Sequence, residues 1–280
     1  MRCDGRKAGH RARRYWSARW PALHFEHKPP NRELWKSMSD LTETHSAAWE
    51  NDEARVDVLF SAAGVATNMA MLSKFSGRIL LADVGDGALR DLLSQGSLDF
   101  VNELNLIIIT HGHFDHMGGL FSLLGFLRML KRSAPLDILI PKGCKEVSST
   151  IRTFKDSYYE TLPFQIRVQE MGHDSEFHTD FFHVRSLEVE HYGLENATGD
   201  DVLMPALGYR VSIGESVIAF TGDSRMCPVL EGVVKGADLA LIEATDGTYV
   251  KVHLTDDEAK QLGSLAKNHL LIHRIPKIES

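Results

Sequence analysis

From about residue 56 onward the chain alternates short apolar runs with polar, glycine-containing turns. Runs such as 106–109, 138–140, 217–220, 239–242 and 270–272 are of strand length and end on polar residues, so they read as buried strands. On this pattern strands are expected near 56–61, 78–84, 105–110, 136–140, 165–169, 183–191, 206–213, 216–222, 238–243 and 269–273. Helical periodicity predicts helices near 87–95, 116–132, 145–158 and 255–267. The second carries Leu120, Leu123, Leu124, Leu127 and Leu130, a stripe that belongs to a core-facing helix and not to a cofactor site. The last opens on Thr255 with Glu258 three residues later, a capping box, and repeats Ala259, Leu262 and Ala266 at helical spacing. Residues 213–217, with Gly214, read as a hairpin turn. The whole is a mixed α/β chain.

Chemistry gathers where the strands end. Residues 110–119 read Thr-His-Gly-His-Phe-Asp-His-Met-Gly-Gly, which sets His111, His113, Asp115 and His116 on the loop leaving the 105–110 strand. Imidazoles with a hard carboxylate suit zinc and its neighbours in the transition series. Three further polar residues follow strand candidates in the same way: His191, Asp223 and His273. Open sheets present ligands at the carboxyl ends of their strands. A single histidine in such a place is an ordinary core or edge residue. Together with the first cluster, however, the three make seven donors, enough for two cations sharing one carboxylate.

The order His-x-His-x-Asp-His, then a distant His, Asp and His, resembles the metallo-β-lactamase superfamily, and within it the ribonuclease Z-type phosphodiesterases. The likeness covers roughly residues 56–274. Residues 56–67 (Val-Asp-Val-Leu-Phe-Ser-Ala-Ala-Gly-Val-Ala-Thr) resemble the family's first strand and glycine-rich turn, and 80–87 (Leu-Leu-Ala-Asp-Val-Gly-Asp-Gly) its Asp-Cys-Gly-Glu-Gly segment. Residues 138–143 are similar to a strand followed by Gly-Pro-x-Gly. Residues 241–245 resemble a His-Glu-Ala-Thr motif in which Ile242 replaces the histidine, and 253–255 a His-Ser-Thr motif. The resemblance implies a four-layered αββα sandwich, the metallo-β-lactamase fold. It assigns His111, His113 and His191 to one metal, Asp115, His116 and His273 to the other, and Asp223 to the bridge. It implies two Zn2+ ions, with Mn2+ or Fe2+ as alternatives. Phosphodiester hydrolysis would then use a hydroxide activated by the metals beside Asp115. His253, oriented by Glu243, would serve as general acid to the leaving oxygen.

Charge and length refine this picture. The 280 residues divide into a basic, tryptophan-containing extension over 1–50 and a metallo-hydrolase domain over 51–280. Residues 1–37 hold ten Lys/Arg against three Asp/Glu, a formal +7, so the remainder carries −14 of the chain's −7. Three readings fit this segment: a nucleic-acid-binding arm, an organellar presequence, or a functionless upstream extension with Met38 as the natural start. The last is preferred, because Arg-rich composition is unspecific. Cys3, Cys144 and Cys227 are odd in number and widely spaced, which points to reduced thiols and a cytoplasmic setting. No apolar run reaches the ~18–20 residues of a membrane span, and a homodimer is compatible with everything above.

Substrate is less defined than chemistry. Ribonuclease Z enzymes often carry a tRNA-binding arm between the ligands that match His191 and Asp223, but here only 31 residues separate the two and no Gly/Pro/Lys-rich arm stands there. An acidic body also lacks the attraction for RNA phosphates. The partner is therefore a phosphodiester, either RNA or a small linear or cyclic nucleotide. Two other classes stay in view. A thioester, lactone or β-lactam hydrolase would use the same metals without the Glu243–His253 acid. A non-catalytic metal-binding scaffold would be expected to have lost ligands that this chain keeps.

Overall fold

The computed structural model describes residues 48–194, 201–245 and 252–275. The extension expected over 1–50 lies outside the described residues except for its last three. Two sheets carry the fold. The first has seven strands in chain order: β1 (Trp49–Glu50), β2 (Ala54–Ala62), β3 (Ala66–Ser73), β4 (Ile79–Val84), β5 (Leu104–Ile108), β6 (Leu136–Pro141) and β7 (Ile166–Met171). It is antiparallel as far as β4 and parallel from β4 to β7. The second sheet runs β8 (Ser175–His178), β9 (His183–Glu188), β12 (Leu207–Ile213), β13 (Ser216–Phe220), β14 (Leu239–Glu243) and β15 (His269–Ile272). A separate ribbon joins β10 (Tyr192–Leu194) to β11 (Asp201–Leu203). The helices are α1 (Ala88–Ser94), α2 (Phe100–Glu103), α3 (Phe114–Met117), α4 (Leu120–Met129), α5 (Lys145–Ser157), α6 (Val229–Val234) and α7 (Asp256–Gly263).

The apolar runs lack polar alternation because both faces of the central strands are buried. Leu80, Ala82, Leu106 and Ile108 face the second sheet and meet Tyr209, Val211, Ile218 and Leu241. Their neighbours Leu81 and Ile107 face outward onto α1, α4 and α5, through residues such as Leu92, Leu123, Leu127 and Ile151. On the far side Ala240 and Ile242 face Leu230, Val233 and Leu262 of α6 and α7. Fully burying each Leu or Ile contributes about 1.5–3 kcal/mol. The result is the four-layered αββα sandwich. Polar bonds join the two sheets at one end: Tyr209 Oη donates to Ile109 O at 2.9 Å, Leu207 N to Thr110 O at 2.9 Å, and His273 N to Ser61 Oγ at 2.9 Å.

Several local expectations hold. Ile213 pairs with Ser216 across Gly214, whose φ of 61° suits the first central position of a tight hairpin. Thr255 and Glu258 form the capping box. Among the described residues no helix is long and apolar enough to cross a membrane.

Other expectations need correction. The helix expected over 116–132 is two helices, α3 and α4. Gly119 N donates to Val84 O at 2.9 Å, and a Cβ on Gly119 would lie 2.2 Å from Gly85 O. The close seat of this loop on the end of β4 breaks the helix. The final helix stops at Gly263, short of residue 267. β3 was not expected as a separate strand, since Ala66, Thr67, Asn68 and Met69 are all buried and mix polar with apolar types. The short elements α2, α6 and β8 were likewise not foreseen.

One buried cation stitches the beginnings of β5 and β6. Arg132 is 1% exposed and donates to Val101 O (2.6 Å), Leu104 O (2.6 Å), Pro135 O (2.8 Å) and Ala134 O (2.9 Å). Burial pulls its guanidinium down to about 10, so the group stays charged at neutral pH. Arg132→Ala leaves these carbonyls unpaired and should cost at least ~3 kcal/mol in denaturant unfolding, at about 1–3 kcal/mol per unsatisfied buried group. Arg132→Lys, with a point charge in place of a planar fork, should recover only part of that. Equal stability of all three proteins would mean the clamp does not hold the strand ends.

Candidate metal centre

The sheets bring their carboxyl ends to one place. His111, His113, Asp115 and His116 arrive on the loop after β5 and on α3. His191 follows β9, Asp223 follows β13, and His273 follows β15 with a left-handed φ of 54°. All seven expected ligand residues meet there, and all but His113 are buried. His113 Nδ1 lies 3.0 Å from His111 Nε2 and 3.1 Å from His191 Nε2. A second group forms where His273 Nε2 lies 3.2 Å from His116 Nε2 and 3.3 Å from Asp115 Oδ2. Asp223 Oδ2 stands between the groups, 3.3 Å from His116 Nε2, 3.4 Å from His273 Nε2 and 3.8 Å from His111 Nε2.

The outer nitrogens decide what the inner ones present. The hydrogen-bond network assigns His116 Nδ1–H to Asp83 Oδ2 at 2.7 Å and His273 Nδ1–H to Thr245 Oγ1 at 3.1 Å. It assigns His111 Nδ1–H to Thr110 Oγ1 at 3.1 Å and His191 Nδ1–H to Val252 O at 3.4 Å. In its neutral form each of these four rings therefore turns an Nε2 lone pair inward. Lone pairs facing one another at about 3 Å repel unless a cation sits among them. Asp223 Oδ1 adds a second sign, being buried without a hydrogen-bond partner. The donor set of imidazole nitrogens and carboxylate oxygens fits divalent metal ions.

Electrostatics agrees. Burial pulls His113 below the ordinary histidine value, His111 well below it, and His191 down to about 3, which keeps all three neutral as ligands must be. His116 goes the other way: burial opposes its charge, but Asp223 and Asp83 hold it well above the usual value. Burial also works against the Asp223 carboxylate, yet His116 and His273 hold it well below the usual range. The site thus favours positive charge between Asp83, Asp115 and Asp223.

Asp83 is a residue that sequence reasoning quoted within a motif but gave no role. Its left-handed backbone (φ 56°) at the end of β4 turns the carboxylate toward β5, where it accepts from Thr110 N (2.8 Å), Thr110 Oγ1 (2.8 Å) and His116. The signal was present, since Asp83 is another polar residue closing an apolar strand. Gly64 N donates to Asp115 Oδ2 at 2.8 Å and orients it. Gly85 lets α3 approach, because a Cβ there would lie 2.2 Å from Asp115 O.

Glu243 and His253 form the expected pair. Glu243 is fully buried at the end of β14, and its Oε1 accepts from His253 Nδ1 (3.0 Å), Ser224 N (2.9 Å) and Leu254 N (3.2 Å). Its Oε2 accepts from Thr245 Oγ1 at 3.0 Å, which extends the network to His273. Burial raises the Glu243 carboxyl, with the His253 bond opposing. Burial would lower His253, but Glu243 outweighs it and holds the imidazole above its ordinary value. Ile242, the departure from the motif, faces the α6–α7 layer, so its side chain takes nothing from the site.

Comparison with known proteins accords with this geometry. A model of the beta-lactamase superfamily domain matches residues 80–273. A ribonuclease Z from Metallosphaera sedula is 30% identical over 207 residues, covering 63% of this chain and 69% of that protein. A ribonuclease Z from Agathobacter rectalis is 31% identical over 123 residues, which is 44% of this chain but only 39% of that relative's length. The crystal structure of human tRNase Z, short form, shares the fold, with a TM-score of 0.63 over 79% of this chain and 92% of that one at 21% identity. The chain belongs to the beta-lactamase superfamily, as a metal-dependent hydrolase of that fold. Within the superfamily it is a ribonuclease Z-like member.

The Asp83 contact yields a test. Asp83→Asn keeps the shape but removes the charge that anchors His116 and Thr110. Affinity for zinc should fall about 10–100-fold, the usual loss when a partner of a ligating histidine is changed. Competition with a chromophoric chelator measures it, and unchanged affinity would separate Asp83 from the centre.

Proposed function

We propose that the chain is a dinuclear phosphodiesterase. His111, His113 and His191 would hold one zinc, Asp115, His116 and His273 the other, and Asp223 would be shared between them. Mn2+ and Fe2+ are the alternative ions. The observation that carries this reading is the position of Asp223 Oδ2 between two groups of inward-facing donors, with Oδ1 unpaired. When bound, the two cations supply water ionised near neutral pH and neutralise charge building on the phosphate. The remaining chemistry belongs to side chains. Asp115, fixed by Gly64 N, is placed to orient the attacking water. His253 Nδ1–H donates to Glu243, whose charge favours the protonated ring, and in that imidazolium Nε2 also carries a proton, available to the leaving oxygen. A ribose or alkyl alkoxide is a poor leaving group and needs that proton.

For substrate, the name of the relatives favours an RNA phosphodiester. A small linear or cyclic phosphodiester is the second reading, favoured by the formal −14 carried by residues 38–280. A panel of precursor tRNA, cyclic AMP and bis-nitrophenyl phosphate separates the two. A thioester or lactone included in that panel tests the alternative hydrolase class, which has no use for the Glu243–His253 pair.

Metal analysis after mild dialysis should find the zinc bound by the centre falling from two equivalents to one or none in Asp223→Ala. A fully active protein whose centre holds a single equivalent overturns the dinuclear reading.

The acid is tested through the leaving group. His253→Ala should lower kcat/KM on an alkyl phosphodiester by ~10²–10⁴-fold and do little on a nitrophenyl ester, whose leaving group departs without a proton. Glu243→Gln should follow the same pattern more weakly. Equal losses on both substrates would assign His253 to folding or metal retention.

A further inference from the structure

A second group of donors lies on the β8–β9 hairpin and shares no residue with the catalytic centre. Glu176 Oε2 is 3.6 Å from His178 Nε2 and 3.7 Å from His183 Nε2, and the three ligand atoms all lie within 4.8 Å of one another. The strand register explains the grouping. His178 pairs directly with His183 across the antiparallel ladder, and Glu176 is two residues before His178, hence on the same face. The alternate residues Phe177 and Val184 turn inward to the core between the sheets. The donors therefore look outward, at an edge of the sheet.

The two imidazoles stack face to face, with centroids 4.1 Å apart and planes 7° from parallel, so a shared cation requires the rings to turn about their side-chain torsions until both Nε2 lone pairs converge beside Glu176. Three features favour a cation there. His183 Nε2 is buried without a hydrogen-bond partner, although its ring is in part exposed. The turn between the histidines is braced, because Thr179 Oγ1 accepts from Phe181 N (3.1 Å) and Phe182 N (2.9 Å). Arg185, which faces Glu176 across the ladder, is paired with Asp174 at 2.5 Å. Donors about 2.0–2.1 Å from a tetrahedral zinc are roughly 3.3–3.5 Å apart, close to the separations found here.

We propose that Glu176, His178 and His183 form a surface site for one divalent first-row transition ion, zinc in the first instance, outside the catalytic centre. Two imidazoles and a carboxylate suit zinc, nickel and copper and reject calcium and magnesium. Three protein donors leave the fourth zinc position to water or to an incoming ligand.

The test is zinc titration of the full chain against a chromophoric chelator, comparing the unmutated protein with the double variant His178→Ala, His183→Ala. The difference in stoichiometry is read, so the result does not depend on how many ions the catalytic centre holds. The site requires one equivalent fewer in the variant, with phosphodiester hydrolysis and thermal unfolding of the metal-free protein unchanged. Glu176→Gln should keep the site but weaken it about tenfold or more, since loss of a ligand costs no less than loss of a ligand's partner. Equal stoichiometry in the two proteins at micromolar free zinc overturns the proposal. Loss of hydrolysis in the variant also overturns it, by tying the histidines to the catalytic centre. Undiminished affinity in Glu176→Gln removes the carboxylate and with it the three-donor site.

Discussion

The structure depends on the cost of burying the Asp223 carboxylate. A carboxylate taken out of water loses several kcal/mol of hydration that only close positive charge can return. Asp223 is 3% exposed, and one of its oxygens has no hydrogen-bond partner. Around the other oxygen stand His111, His116 and His273, carried on loops after β5 and β15 that belong to different sheets. The sandwich is thus arranged so that its two sheets end together at one charge. Three cross-sheet hydrogen bonds, from Tyr209, Leu207 and His273, lie at this same end.

Each sheet supplies a buried carboxylate that governs histidines. In the first sheet Asp83, closing β4, holds His116 and the turn at Thr110. In the second Glu243, closing β14, holds His253 directly and His273 through Thr245. The two acids differ in consequence. Asp83 anchors a histidine whose Nε2 lies 3.2 Å from His273 Nε2 within the donor cluster, whereas Glu243 anchors one whose ring lies beside His191 and His273. The same device thus fixes one ring inside the cluster and another at its side.

Much of the centre is legible in the chain because ligands must sit on loops and those loops must follow strands. His111 to His116 crowd into six positions after an apolar run, and His191, Asp223 and His273 repeat the strand-then-polar rule. Elements buried on both faces are harder to read. In β3, Thr67 and Asn68 are buried among methionines, so no alternation marks the strand. The break between α3 and α4 depends on backbone contact between Gly119 and Gly85, 34 residues apart, which no local periodicity can contain. The Glu176, His178 and His183 group arises only from cross-strand register, since its spacing in the chain follows no recognised ligand pattern.

The wide separation of the ligands along the chain sets the order in which the site is assembled during synthesis. His116 and His273, 3.2 Å apart in the fold, are 157 residues apart in sequence. A ribosome that has just released the first sheet has exposed only His111, His113, Asp115 and His116, with no bridge and no partner from β13 or β15. Closing so long a loop carries an entropic cost that grows slowly with length, but the contact that rewards it comes last. The nascent chain therefore passes most of its folding with the hydrolytic centre open and unassembled. The donor cluster closes with the docking of β15, so a chain interrupted before that strand would lack His273 alone among the seven donors, and with it the ring that meets His116 and Asp115.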